Sequence, residues 1–219
     1  MLNISQLTGF NANSSGISLK YIGGQTFTNN ASSYTSGSFT IGEPGLVIVI
    51  AAMRQTTGIT VQTLSVNSTA VDNFTRAGSA QANGIAMGTY LLTSGETITV
   101  NFTSGVNALQ AGVEVFVLRN YNSSTPINAK DKYDTSSTST SINVETTSGG
   151  VIVAGLATAS GSGGQTWTNV TEVTDRLIES SLIFSTASTT ETATSASYTV
   201  TCAGGATSVQ RGMVIMSFR

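Results

Sequence analysis

Apolar residues recur at every second position or in short β-branched runs, and clusters of Gly, Ser and Asn separate these runs. A period of two is typical of β-strands, and no window has the 3.6-residue period of an amphipathic helix. The pattern therefore predicts an all-β protein. The predicted strands cover residues 17–21, 38–41, 46–52, 60–66, 85–91, 97–102, 113–118, 141–144, 151–155, 167–173, 181–184, 198–202 and 213–218.

Two of the predicted strands, 113–118 and 213–218, carry apolar side chains on both faces, apart from Glu114 and Ser217. A strand that is apolar on both faces is covered on both faces. A loop or a neighbouring subunit could supply the second cover, and we predict that these strands contribute to a subunit interface. The residues predicted to make this contact are Val113, Val115, Met213 and Ile215.

The strand pattern is repeated within the chain. ITV at 98–100 matches YTV at 198–200, and the matches continue without a gap to Arg119 and Arg219, 100 residues apart. Upstream, GLVIV matches GGVIV at an offset of 104 residues, which places the length difference in loops, where it is tolerated. Two related halves of antiparallel strands predict one closed two-sheet sandwich.

The repeat defines the predicted domain organisation. Residues 17–219 form one sandwich domain, with internal repeats at about 17–119 and 125–219, and residues 1–16 form an N-terminal arm. The arm is rich in Asn and Ser, so two interpretations are open: it orders only against a partner, through Leu2, Ile4, Leu7 and Phe10, or it is a frayed terminus. It lacks a basic region followed by a long apolar run, which predicts synthesis in a cytoplasm without a secretion signal. No run is long enough to cross a membrane, so a membrane is not an expected partner.

The composition excludes several kinds of chemistry. The 219 residues include 9 basic and 11 acidic side chains, no His and one Cys. Histidine bases, imidazole metal ligands, Cys-based zinc sites and internal disulfides are therefore excluded. So few cations also argue against a nucleic-acid partner. We predict that the protein is not an enzyme and holds no cofactor or metal.

The mean hydropathy of +0.15 and the 39% hydrophobic content are those of a folded chain. Nearly a third of the residues are Ser or Thr, and only 9% are charged. A surface of this composition has little charge repulsion. Such a surface favours a homo-oligomer or a component of a larger assembly.

Few side chains are candidates for a binding site or a reaction. If exposed, Trp167 would be a stacking platform for a sugar ring, with Tyr121 or Tyr133 beside it; if buried, it would fill the core. The only thiol, Cys202, lies on the predicted core face and is expected to be a small buried side chain. The carboxylate clusters at 131–134 and 172–179 could supply paired acids or calcium ligands, but exposed carboxylates on a strand are usually just solvated.

Several segments together resemble a known group of proteins. They are GLVIVIAA at 45–52, TVQTLSVN at 60–67, IAMGTYLL at 85–92, GVEVFVL at 112–118 and QTWT at 165–168. This pattern resembles the jelly-roll-like β-sandwich structural proteins of tailed bacteriophage virions, either capsid decoration (cement) proteins or tail-associated proteins. The resemblance implies a non-enzymatic virion protein, often oligomeric, that contacts the major capsid protein or tail proteins. The alternative it leaves open is a tail or tail-fibre protein whose β-sandwich binds a host surface glycan.

Overall fold

The computed structural model describes residues 16–78, 82–159, 164–204 and 209–219, and its regular structure in these ranges consists of antiparallel β-strands. In chain order the strands are β1 (Ser18–Phe27), β2 (Ala31–Thr35), β3 (Phe39–Thr40), β4 (Gly45–Arg54), β5 (Val61–Val66), β6 (Thr69–Ala70), β7 (Asp72–Ala77), β8 (Asn83–Leu92), β9 (Thr97–Ile98), β10 (Val100–Ala108), β11 (Gln110–Arg119), β12 (Asn128–Ser137), β13 (Ser139–Thr146), β14 (Gly150–Thr158), β15 (Gln165–Thr168), β16 (Thr171–Ile178), β17 (Leu182–Thr192), β18 (Ser195–Gly204) and β19 (Val209–Phe218).

The strands form two halves, β1–β11 and β12–β19, and the arrangement is consistent with two β-sandwich domains. In the first half a five-stranded sheet, β1-β11-β4-β8-β7, accompanies a four-stranded sheet, β2-β10-β5-β6. The second half repeats this plan with β12-β19-β14-β17-β16 and the three-stranded sheet β13-β18-β15. The small β3-β9 pair of the first half corresponds in register to the pairing of the end of β13 with the start of β18, since Phe39 pairs with Ile98 as Val144 pairs with Tyr198.

Three hydrophobic cores hold these sheets in four layers. One core lies between the two sheets of the first half and contains Val47 and Phe102. Another lies within the second half and contains Trp167 and Met213. The middle core draws from the five-stranded sheets of both halves, as at Phe116. We call the five-stranded sheets the inner sheets and the other two the outer sheets. The four layers are consistent with two sandwiches, one for each half, whereas the sequence predicted one.

The packing of the halves has the pattern of a twofold axis. The contact of β8 with β19 is matched by that of β17 with β11, and the contact of β7 with β12 by that of β16 with β1. β4 and β14 occupy equivalent central positions and contact each other. Each contact therefore has its counterpart, as in an isologous dimer of two subunits. The prediction of two related halves is confirmed.

The strands that are apolar on both faces, β11 and β19, are interior strands of the inner sheets. Val113 and Val115 face the core of the first half, and Met213 and Ile215 face the core of the second, all with 0% exposure. Their assignment as subunit-contact residues is corrected, because side chains without exposed surface cannot touch another chain. The opposite faces of both strands lie in the middle core, so the second cover is the other half of the same chain.

Most predicted strands coincide with observed ones, with two instructive differences. The predicted strand 167–173 is broken at Asn169, whose φ of 68° turns the chain between β15 and β16. The Ser/Thr run at 135–141, interpreted from sequence as a connector, belongs largely to β12 and β13, since threonine is a good strand former. The contact residues predicted in the N-terminal arm lie outside the described residues: Leu2, Ile4, Leu7 and Phe10. The assignment of residues 17–219 to a single domain stays a prediction.

Candidate functional site

Trp167, the main candidate for sugar stacking, is a core residue. It lies between the two sheets of the second half with 9% exposure, and its indole Nε1 donates a hydrogen bond to Ser185 Oγ at 2.8 Å. Trp167 pairs across strands with Cys202, whose counterpart in the first half is Phe102. Because Phe102 pairs with Leu64, the counterpart of Trp167 is a core leucine. Of the two roles considered for Trp167, the structure supports the core one.

The two tyrosines proposed as helpers lie at the middle core, on the other side of an inner sheet from Trp167. Tyr133 donates hydrogen bonds to Asn83 Oδ1 and, at 3.3 Å, to Gln210 Oε1, and burial raises the pKa of its hydroxyl. Tyr121 packs against the same core and lines a depression of about 370 Å³. The three aromatic side chains therefore do not form one platform.

A buried ionic cluster joins the two halves. Glu114 of β11 is fully buried and accepts hydrogen bonds from the Tyr21 hydroxyl and from Arg176 Nε of β16. Arg176 also donates to the Tyr21 oxygen at 3.0 Å. Burial raises the pKa of Glu114, although its hydrogen bonds to Tyr21 and Arg176 oppose that change. Burial and the neighbouring carboxylate raise the pKa of Tyr21 to about 12. The cluster links the inner sheets of the two halves. Tyr21 and Arg176 already occupy the carboxylate of Glu114.

A fully buried cation lies between the sheets of the second half. The fully buried Arg211 guanidinium donates to the Gly204 carbonyl at 2.7 Å, to Gln165 Oε1 at 2.5 Å and to the Cys202 carbonyl at 3.3 Å. Burial raises the pKa of the Cys202 thiol to about 12, so the thiol stays protonated and unreactive at neutral pH. The prediction that Cys202 is a small buried side chain is confirmed.

The carboxylates singled out in the sequence contact neighbouring backbone and side-chain groups. Asp175 accepts the backbone N–H of Gln165 at 2.8 Å, and Asp134 lies 3.4 Å from the Lys132 ammonium. Within the described ranges, no group of three or more His, Cys, Asp or Glu side chains is placed to hold a metal ion. The same part of the chain contains no helix long and apolar enough to span a membrane.

The outward faces of the outer sheets are almost free of charge. Their seven strands contain a single charged residue, Glu145. Their hydroxyl groups pair across strands, with Thr63 Oγ1 2.6 Å from Thr103 Oγ1 and Ser141 Oγ 2.8 Å from Thr201 Oγ1. Sequence reasoning sought contacts among apolar residues and overlooked these rows. The signal was present as polar residues alternating with the predicted core positions.

Charge is concentrated instead at the edges of the inner sheets. The edge strands β1, β7, β12 and β16 carry half of all charged residues in the chain. Charged side chains on an edge strand discourage pairing with the edge of another sheet. The outer faces are therefore the broad surfaces on which contact meets the least electrostatic resistance.

No protein-family model matches the chain, and the search of curated proteins finds no match. The function is therefore inferred from the surfaces and cores described above.

Proposed function

We propose that the chain is a non-enzymatic structural protein of a tailed bacteriophage particle, acting as a capsid decoration or cement protein. The observation that carries this proposal is the near absence of charge on the two outer faces, where the seven strands hold only Glu145. Removing charged groups from water is a large cost of burying protein surface. Contact across these faces avoids most of that cost, because they carry almost no charge.

The strand order supports the proposal at the level of the fold. We propose that each half is a jelly roll, because the first and last strands, β1 and β11, are neighbours in one sheet while β2 and β10 are neighbours in the other. β12 with β19 and β13 with β18 repeat that relation. Double-sheet jelly rolls are common in viral capsid and lectin domains.

The mechanism is mechanical rather than chemical. The middle core joins the four sheets into one thick body. The outer sheets at the two ends of this body present similar faces lined by hydroxyl groups. A body of this kind stabilises a shell by contacting neighbouring subunits, and many weak contacts on one particle act together. In this proposal the chain functions as a homo-oligomer or beside the major capsid protein, and it is located in the virion.

The second candidate, a tail or tail-fibre protein that binds a host glycan, has less support. The proposed stacking residue Trp167 is buried, and Tyr121 and Tyr133 lie on the other side of an inner sheet. Measurable affinity of the purified chain for a host glycan would support the tail-protein candidate.

Co-sedimentation with the phage's own particles tests the proposal. We expect the purified chain to co-sediment with the capsid, and Thr103→Glu or Thr201→Glu to weaken that binding at least about tenfold, because each buries an unpaired charge in the contact. Thr125→Glu, at an exposed position in the linker between the halves, is the matched control and should bind normally. A stable monomer with no affinity for capsid or tail would exclude the proposal.

A further inference from the structure

The strand pairing identifies equivalent positions in the inner sheets of the two halves. Ile50 of β4 pairs with Glu114 as Gly155 of β14 pairs with Val214, so Ile50 and Gly155 are counterparts. They are 105 residues apart, one more than the sequence match at 104. An offset of 104 would align residues of β4 that face the core of the first half with residues of β14 that face the middle core.

Contacts across the middle core follow this correspondence. In the neighbouring strands the pairing makes Ile85 of β8 the counterpart of Phe184 of β17. A Cβ on Gly112 would lie 2.8 Å from the Phe184 ring, and a Cβ on Gly212 would lie 3.2 Å from Ile85 Cγ2. Gly112 and Gly212 are themselves counterparts in the repeat. The halves therefore pack as two subunits related by a twofold axis would pack.

A large and a small residue meet on this axis. A Cβ on Gly155 would lie only 2.8 Å from Ile50 Cγ2, so these two counterparts contact each other, which places them on the axis. If two first halves paired in this way, isoleucine would meet isoleucine where there is no room for one more carbon. Two second halves would bring glycine against glycine and leave a cavity.

Away from the axis, charge distinguishes the halves. Glu114 of the first half is fully buried and accepts a hydrogen bond from Arg176 of the second. The strand pairing makes Val214 the counterpart of Glu114, and Ala77 the counterpart of Arg176. Val214 and Ala77 both lie in the middle core. The interface therefore carries an ion pair on one side of the axis and two apolar residues on the other.

A pairing of like halves would leave these charges without partners. Two first halves would each place Glu114 against an alanine, and two second halves would each place Arg176 against a valine. A buried charge without a partner is strongly unfavourable, whereas both charges are satisfied when unlike halves meet. The conflict of size and the conflict of charge arise at different positions and exclude the same pairings.

We propose that the inner faces of the two halves form an interface that accepts only an unlike half. Ile50 with Gly155, and Glu114 with Arg176, exclude pairing between the first halves, or between the second halves, of different copies. Because every chain carries both halves, pairing of like halves would join copies through their middle cores. The interface thus restricts contact between copies to other surfaces of the molecule. This inference concerns the assembly of the middle core and does not depend on the proposed function.

Refolding of the full chain from urea tests the role of the charges. All chains carry Cys202→Ala, which removes the one native thiol. Ile50→Cys then reports the pairing, because the new thiols of two chains face each other only when first halves pair, and it also relieves the conflict of size. Adding Glu114→Val with Arg176→Ala, the residue types at the equivalent places, should raise the disulfide-linked fraction at least about fivefold. The rise should grow with protein concentration.

Two further variants separate pairing specificity from general loss of an ion pair. Glu43→Val with Arg119→Ala is the matched control, since it removes a surface ion pair of the same residue types, 3.4 Å apart, and should leave the fraction unchanged. Val214→Glu with Ala77→Arg, added to the apolar variant, moves the ion pair to the other side of the axis. This transfer should restore the low fraction, because the charges again meet only between unlike halves.

The role of size is tested by stability. Gly155→Ile alone should lower the midpoint of urea denaturation, because isoleucine then meets isoleucine on the axis. Adding Ile50→Gly moves the large residue to the other half and should recover most of that loss. Losses that simply add would show that the two positions do not complement each other in size.

Three results of the refolding experiment would overturn the inference: an unchanged disulfide-linked fraction after removal of the Glu114–Arg176 pair, an equal rise in the matched control, or a transferred pair that folds without lowering the fraction. Circular dichroism would show which variants refold. If the charge variants do not refold, the size variants decide: recovery supports the inference, and additive losses overturn it.

Discussion

The inner and outer sheets use the same kinds of residue in different ways. In the inner strand β4 nine of ten residues are buried, whereas in the outer strand β13 buried residues alternate with exposed or half-buried ones. The inner sheets are covered on both faces by protein, and the outer sheets are covered on one. The inner layers therefore supply most of the buried apolar surface that stabilises the fold, while each outer layer leaves one face in solvent.

The middle core should show the largest effect of a substitution. Phe184 of β17 is fully buried and packs over Gly112 of the other half, where a Cβ would lie 2.8 Å from its ring. Phe184→Ala should lower the free energy of unfolding by about 3–5 kcal/mol, measured by urea denaturation. Phe74→Ala, at a ring 38% exposed on an edge strand, is the matched control and should cost about 1 kcal/mol or less. Equal losses would refute the division between inner and surface positions.

Filling the close approach between the halves should have a smaller effect. A Cβ on Gly155 of β14 would lie 2.8 Å from Ile50 Cγ2 and 3.2 Å from Ile85 Cδ1. Gly155→Val should lower the free energy of unfolding by about 1–3 kcal/mol, because the packed core accommodates extra carbon only with strain. Gly16→Val, where no described atom lies within 4 Å of the new Cβ, should leave the denaturation midpoint unchanged. A fully tolerated Gly155→Val would show that the halves pack loosely.

The ionic cluster predicts a pH dependence of stability. Because burial raises the pKa of Glu114 above its ordinary value of about 4.5, the folded state holds this proton more tightly than the unfolded state. The resulting stability is fully present below the ordinary value and is lost as the pH rises through the raised one. Glu114→Gln cannot titrate, so wild type should lose stability relative to this variant as the pH rises above 4.5.

Thermal melts of wild type and Glu114→Gln across that range would measure the difference. We expect a modest effect, because the side chain of Arg176 is 37% exposed and solvent screens the pair. A constant gap between the two curves at all pH values would contradict the raised pKa.

The outer face should show the smallest effect on stability. Thr201 contributes a hydroxyl pair with Ser141 on the outward side of its sheet. Thr201→Val should change the free energy of unfolding by no more than about 0.5 kcal/mol, because the position is away from the cores and valine keeps the branched shape that suits a strand. Calorimetry would check this. A loss as large as that of Gly155→Val would place part of the folding energy on the outer face.

The candidate sites illustrate how far sequence reasoning extends. The burial of Cys202 followed from its place in the alternating pattern, because the pleat of a strand fixes which side chains share a face. The role of Trp167 stayed open, since a preceding glycine run does not say on which side of a sheet the ring will lie.

The all-β class, the positions of most strands, the duplication and the need of certain strands for cover on both faces follow from the amino-acid sequence. These properties depend on local alternation and on matches along the chain. The source of that cover, the stacking of the sheets in four layers and the hydroxyl rows left outside follow from the packing of the folded chain. An apolar face of a sheet can be buried against any apolar face of complementary shape. Contacts between segments distant in sequence therefore determine which face covers it.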